Sequence, residues 1–324
     1  MTTGSIDILL STFNGGHYVA SAIESVLGQT YRDFRLYIVD DCSSDDTWAT
    51  IQRYEDPRIT RLLNKSNVGL FANLNMLVSM SSSRWIKLLG QDDLLLPDCL
   101  ERGLHFGHAH PSLGCFWCYG DSIDENGAIF ARPTRDDLTS VLSTAEADRD
   151  CLQWGCLSAN ISNLFIHREA LAAVGLFRAD IMSADFDMMS RIQAAYGVGR
   201  FTDVLVQVRG HKAQWSRDIK QMENCLSGNM EVFARILTRA VEEARSLSRE
   251  EATRLLNYRL ATNEFNWLLK ALQSNKDVGA AYRCAGYINN VVPLRAVAAT
   301  WTRVMLPRYL RRSAPITKMP PPLK

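Results

Sequence analysis

Four short apolar runs in the first hundred residues are each followed by a polar turn and a segment of helical periodicity. The runs are "IDILLS", "FRLYIVD", "RITRLL" and "RWIKLLG". The helical segments are "YVASAIESVLGQ", "WATIQRYE", "LFANLNMLVSM" and "DCLERGLHFGHA", with Pro97 placed at the first turn of the last. In the first of them Val19, Ile23, Val26 and Leu27 share one face. Alternation with strands this apolar implies a mostly parallel sheet covered by helices on both faces. Ligands of such sheets gather beyond the carboxyl ends of the strands. The polar clusters stand there: Ser11, Thr12 and Asn14 after the first strand, Asp40 and Asp41 after the second, Asp92 and Asp93 after the fourth.

The middle third changes character. "LGCFWCYGDSI", "DENG" and "AIFAR" read as a hairpin with an Asn-Gly turn. "NISNLFI" and "RFTDVLVQVRGH" read as further strands, "REALAAVG" as a short helix. "SADFDMMSRIQAAYG" reads as a helix capped by Ser183 with Asp185 and Asp187 in its first turn. The last third is helical: "DIKQMENCLSGNMEVFARILTRAVEEAR", then "SREEATRLLNYRLATNEFNWLLKALQ", which opens on a capping box, then two shorter segments. The expected divisions are 1–110, 111–215 and 216–324.

Composition narrows the class. Apolar residues make up 47% and charged residues 22% of 324, which is ordinary for a globular chain. No apolar segment approaches the length of a membrane span, and no secretory signal is expected at the N-terminus. The eight cysteines are scattered, and the one CxxC, Cys115 to Cys118, lies in an apolar run. Buried thiols are expected there, and reduced cysteines suit a cytoplasmic protein. Charge is uneven: no acid follows Asp277, whereas Arg283, Arg295, Arg303, Arg308, Arg311, Arg312, Lys318 and Lys324 do. The acidic remainder argues against nucleic acid as a partner.

"GQDDLLLP" places two adjacent carboxylates between apolar runs. Burying an unpaired charge is costly, so both side chains are expected to be exposed where the strand ends. Exposed paired carboxylates suit Mg²⁺ or Mn²⁺, and equally suit the first turn of a helix. Asp40 and Asp41 could accept a hydrogen bond from a base or ribose, or cap the following helix. Asp185 could act as a general base, with ordinary first-turn acids as the alternative. His211 ends a strand and is either structural or a ligand. Neither GxGxxG nor GxxxxGK[ST] occurs near a strand, which counts against nicotinamide enzymes and P-loop phosphotransferases.

Together, "ILLSTFNGGHYVASAIESVLGQTYRDFRLYIVDDCSSDDT", "DPRITRLLNKSNVG", "GQDDLLLPDCLE" and "GLFRADIMSADFDMMSRI" resemble the inverting family 2 of glycosyltransferases over roughly residues 6–215. The resemblance implies the GT-A fold, an α/β Rossmann-like sheet, here with a C-terminal α-helical extension. It implies a nucleoside-diphosphate sugar as donor and a hydroxyl of a glycan or lipid-linked acceptor. Ser11, Thr12, Asn14, Asp40, Asp41, Asn73, Gln91 and Asp92 would hold the nucleotide sugar. Asp93 first, with His211, would hold Mg²⁺ or Mn²⁺, and Asp185 would be the catalytic base. Gln91 departs from an all-acidic metal triplet, and Ala184 replaces the family's usual glutamate. His211 with Ser216 resembles a segment that closes over the diphosphate. The competing readings are a sugar-phosphate nucleotidyltransferase, for which "STFNGGHY" lacks a basic loop, and a non-catalytic nucleotide-sugar-binding subunit.

Within "PLRAVAATWTRVML", Val297, Trp301, Val304 and Met305 share a face, with Arg295 and Arg303 elsewhere. Residues 278–324 could therefore lie on an anionic membrane surface, or pack on the core with a solvated tail. The first reading makes the protein peripheral at the inner face of the membrane, serving surface polysaccharide synthesis. The long helices also leave an oligomer open.

Overall fold

The first, second and fourth apolar runs form strands buried almost wholly on both faces, whereas the third, at the edge of the sheet, stays partly exposed. The computed structural model describes residues 5–133, 140–211, 219–265, 269 and 278–305. The first strands are β1 (Ile6–Thr12), β2 (Phe34–Asp40), β3 (Ile59–Leu63) and β4 (Trp85–Gly90). They pair in parallel, β1 between β2 and β4, with β3 beyond β2. Between them run α1 (Val19–Leu27), α2 (Thr47–Gln52) and α3 (Leu70–Met80). In β1, Ile6, Ile8 and Leu10 pack with Val19, Ile23 and Val26 of α1 in one core cluster. The alternate Leu9 is buried as well, and α3 lies against β1 and β2. A strand sandwiched in this way has no solvent face, which is why its sequence does not alternate.

After β4 come the short β5 (Leu94–Leu95) and α4 (Cys99–Ala109). Pro97 precedes the N-cap, Asp98, and does not occupy the helix's first turn; its carbonyl instead accepts from Thr30 N at 2.8 Å. The sheet continues through β6 (Leu113–Ile123), β7 (Ile129–Ala131), β8 (Ser140–Leu142), β9 (Leu164–His167) and β10 (Gly197–Arg209), in the order β3-β2-β1-β4-β9-β6-β10-β5. β9 is antiparallel to both β4 and β6, so the sheet is mixed, and strands on either side of residue 110 belong to it. The β6–β7 hairpin turns differently from the expected Asn-Gly type. Gly127 N donates to Asp124 O, only Gly127 has a positive φ (87°), and the Asp124 carboxylate accepts from Asn126 N and Ala128 N. The aspartate side chain organises the turn.

The chain divides into two compact units. The first comprises Met1–Ser143, Ser158–Asp180 and Arg191–His211, and holds the sheet. The second comprises Thr144–Leu157, Ile181–Ser190 and Lys212–Lys324, and is helical. Its elements include α5 (Thr144–Trp154), α8 (Ile219–Thr238), α9 (Arg249–Thr262), α10 (Val278–Val291) and α11 (Leu294–Val304). Between them in sequence lie α6 (Arg168–Ala173) of the first unit and α7 (Ala184–Ala195), whose first turns belong to the second. α8 gives way to a π-helical turn over Arg239–Glu243. Ser248 caps α9 by accepting from Glu251 N at 3.1 Å, but Glu251 pairs with Arg149 and does not complete the box. Val297 and Met305 are buried, and Val297 and Trp301 join the helical core, so this face of α11 packs on protein. Residues 306–324, with five of the basic side chains, lie outside the described residues. Cys115 and Cys118 are buried free thiols as expected.

Candidate functional site

Three loops leave the carboxyl ends of β1, β2 and β4 and are tied to one another by the polar residues that the sequence singled out. Asp41 N donates to Thr12 O at 2.8 Å, joining the first two. Asn14, at φ 49°, donates its N–H to Ser43 Oγ and accepts from Ser44 N. Asp40 Oδ1 accepts from both N and Oγ of Ser43. Gln91 reaches back from the β4 loop, its Oε1 accepting from Phe13 N at 2.8 Å and its Nε2 donating to Phe13 O at 3.3 Å. Asn14 and Gln91 thus act first as stitches between loops. Ser11, at the end of β1, is only partly exposed and lies beside Val39 and Gly90 in the sheet.

Asp40 and Asp41 differ. Asp41 accepts from Val68 N, Gly69 N and Asn64 Nδ2 at 2.7–2.9 Å. Burial acts to raise its pKa, but these hydrogen bonds outweigh it and hold the carboxylate below its usual range. Asn64 also donates to Asn73 Oδ1, so buried Asn73 supports this turn from behind. Asp40 is fully buried, and its Oδ2 has no hydrogen-bond partner among the described residues; nor has Thr12 Oγ1 on the neighbouring strand. Thr12 and Asp40 are register partners. Buried polar atoms without partners are costly unless something else hydrogen-bonds them.

Asp92 and Asp93 also part company, and the expectation that both are exposed is overturned for Asp93. Asp93 is 2% exposed. Its Oδ2 accepts from Ser162 Oγ at 2.6 Å and its Oδ1 from Arg209 N at 2.9 Å. Burial, then the charge of Asp92, pushes its pKa up to about 7. A carboxylate enclosed by two donors anchors the loop, whereas Asp92 is the one of the pair that keeps some solvent access. Asp92 Oδ2 lies 3.0 Å from His211 Nε2, and both side chains keep some solvent access. Arg209 holds this corner: its Nε donates to Asp92 O, its Nη1 to Asp124 O and Glu125 O, and its guanidinium lies 4.9 Å from the centre of the Tyr18 ring. Tyr18 in turn meets the His211 ring at 5.1 Å.

Asp92 and His211 supply one carboxylate and one imidazole. No group of three or more His, Cys, Asp or Glu side chains arranged for a metal occurs among the described residues. Mg²⁺-type sites commonly use one or two protein ligands and complete the shell with substrate phosphates and water. The donor pair fits that kind of shared site. Ser216 lies outside the described residues.

Asp185 belongs to the second unit. It retains partial exposure, and burial raises its pKa, opposed by hydrogen bonds from backbone N–H groups. Ser183 stands at the expected helix start, with its carbonyl accepting from Asp187 N. Its hydroxyl does not cap the helix, and donates instead to Cys225 O at 2.9 Å. Ser162, Arg209 and Tyr18 were not legible as site residues: their partners lie far away in sequence, and nothing local marks them.

The family model described as "Glycosyl transferase family 2" matches residues 7–172. Among curated proteins, the chondroitin synthase of Escherichia coli is 30% identical over 145 residues, 42% of this chain and 21% of that protein. The E. coli UDP-Glc:alpha-D-GlcNAc-diphosphoundecaprenol beta-1,3-glucosyltransferase WfaP is 30% identical over 101 residues, 31% of this chain and 40% of that one. The chain therefore spans less than half the length of either relative. Among solved structures, S. aureus TarS 1-349 in complex with UDP-GlcNAc superposes with a TM-score of 0.67 at 12% identity, covering 92% of this chain and 88% of that one. The mannosyltransferase PcManGT from Pyrobaculum calidifontis, in complex with GDP-Man and Mn²⁺, gives 0.55 at 14% identity, covering 92% and 86%. At such identities these likenesses establish the fold, which is the GT-A arrangement that the sequence implied.

Proposed function

The chain belongs to glycosyl transferase family 2, and on that premise we propose that it moves a sugar from a nucleoside-diphosphate sugar to a hydroxyl of a glycan or lipid-linked acceptor, with inversion. The observation that carries this reading is the joining of the β1, β2 and β4 loops at the carboxyl end of a parallel sheet, with the solvent-accessible Asp92 and His211 side chains beside them. Asp41 and Asn73 hold the adjoining turn in shape, while Asn14, Gln91 and Ser11 line the loops around it.

The acceptor oxygen forms a bond to the anomeric carbon as the bond from that carbon to the diphosphate oxygen breaks. The electron pair leaves with the nucleoside diphosphate. Asp185 takes the acceptor's hydroxyl proton; its raised pKa makes it a stronger base than an exposed carboxylate. Asp92 with His211 would hold Mg²⁺ or Mn²⁺, which when bound neutralises charge on the departing diphosphate. Asp93, Ser162 and Arg209 keep that corner in place. The relative named for a diphosphoundecaprenol-linked substrate supports a lipid-linked acceptor and a role in bacterial surface polysaccharide synthesis. On this reading the enzyme works in the cytoplasm, at the inner face of the membrane.

A thermal-shift panel of UDP, GDP and their sugars, with and without Mn²⁺, identifies the donor, since a ligand raises melting by mass action. With that donor, Asp185→Asn keeps nucleotide binding and loses roughly 10²- to 10⁴-fold in turnover. Retained turnover removes Asp185 from the chemistry. Absence of any nucleotide-dependent shift sinks the family activity for this chain.

A further inference from the structure

Helix α8 grips one face of the helix that carries Asp185. The grip begins at Ser183, whose Oγ donates to Cys225 O at 2.9 Å and lies close to Gly228, where a Cβ would meet that oxygen at 3.0 Å. One turn on, Phe186 packs edge-on against Phe233, with centroids 5.3 Å apart. Beside it, Arg235 Nη2 donates to Asp187 Oδ1 at 2.8 Å, where the Asp187 side chain is only 1% exposed. A further turn on, Arg239 Nη1 donates to Ser190 O at 3.1 Å, and the same guanidinium is paired with the fully buried Asp148 of α5.

The rungs rise in the same direction along both helices. Residues 183, 187 and 190 share one helical face at the i, i+4, i+7 spacing. Asp185, two residues from 187, is offset from it by roughly 200° around the helix axis at 100° per residue. Arg235 therefore holds the first turn at a residue other than the base, whose charge bears on Cys225 nearer the start of α8.

We propose that α8 is a splint for the catalytic helix, and that Arg235 is a positioning residue that fixes the aim of Asp185 through Asp187. This rests on the reading of Asp185 as the base. The pair is half-buried, with the carboxylate enclosed and the guanidinium partly in solvent, and removing one partner of an enclosed charge costs more than the intact pair contributes. A base held in one orientation is what direct displacement requires.

The test compares Arg235→Gln, Arg235→Lys and Ser183→Ala in the full chain, well below their melting temperatures. The readout is nucleoside diphosphate released from whichever of UDP-glucose, UDP-GlcNAc or GDP-mannose turns over. Arg235→Gln is expected to lower kcat about 10- to 100-fold, the scale of a small misplacement of a reacting group. The KM for the donor, which is held by residues of the first unit, should stay within about twofold, and Arg235→Lys should recover most of kcat. A purely structural arginine would change the amount of folded enzyme without splitting kcat from KM in this way. Should Arg235→Gln not fold, Ser183→Ala, which loses one hydroxyl, decides on the same criteria. Folded variants with kcat within about twofold of the parent overturn the splint. Asp185→Asn measured alongside separates the two ideas: if it is active, the base reading fails; if it is inactive while Arg235→Gln is fully active, only the splint fails.

Discussion

Asp93 shows how much a single residue's surroundings decide. It is adjacent to Asp92 in sequence, but its carboxyl is enclosed and titrates near 7, whereas Asp92 faces His211. In an unfolded chain an aspartate titrates at about 3.9. Below that value the proton is bound in both states and the group is indifferent. Between it and about 7 the unfolded chain ionises while the native carboxyl keeps its proton, so this group's contribution falls as pH rises. Above 7 the loss is complete. The stability advantage of the parent over Asp93→Asn should thus be larger at pH 5 than at pH 8, measured by urea denaturation at both. An advantage that grows with pH would contradict the burial described here. The doublet "DD" was legible as a site from sequence, but its division of labour was not, because Ser162 and Arg209 arrive from 69 and 116 residues away.

At the scale of elements, close approach sets the glycines of α4. A Cβ on Gly103 would lie 2.3 Å from the Phe165 ring, and one on Gly107 2.8 Å from Trp85. Phe165 has no room to retreat: it stacks on Phe116 at 4.7 Å, and the buried Lys87 ammonium lies 4.2 Å from its centroid. Gly103→Ala should destabilise by about 1–3 kcal/mol through overpacking, despite alanine's better helix propensity. Gly286, in α10, meets nothing within 4 Å. Gly286→Ala should therefore stabilise by roughly 0.5–1 kcal/mol, because propensity acts there unopposed. Denaturation midpoints of the two variants should move in opposite directions. The helical periodicity of both segments was visible in sequence, whereas the opposite consequences of their glycines were not, since only the neighbours differ.

For the whole molecule the uneven charge is the feature with consequences. Of the residues after Asp277, the basic side chains number eight with no acid among them, and Arg283 is paired with Glu223. The apolar face of α11 is used up in packing, so that helix does not offer its Val297 side to a membrane. Among the described residues no helix is long and apolar enough to cross a membrane. A route to a lipid surface through charge runs over Arg308, Arg311, Arg312, Lys318 and Lys324, each worth ~1 kcal/mol near anionic lipid. Deletion of 306–324 should abolish co-sedimentation with vesicles containing phosphatidylglycerol at low salt. Equal co-sedimentation of both proteins would remove the tail from that role.

What the sequence determined by itself was the periodicity of its elements and the strand ends where polar residues gather. Short-range patterning settles these: apolar runs without alternation demand a covered sheet, and polar residues at strand ends have nowhere else to go. The membership of Asn14, Asp40, Asp41 and Asp92 in one set of loops followed from the same logic, whereas Gln91 entered through the family resemblance. The tertiary structure decided which of them are anchors and which remain without partners. It buried Asp93 beneath Ser162 and Arg209, left Asp40 Oδ2 unsatisfied, and laid α8 along the helix of Asp185. Each of these depends on desolvation and on hydrogen bonds between distant segments, quantities that exist only once the chain has closed around the atoms concerned.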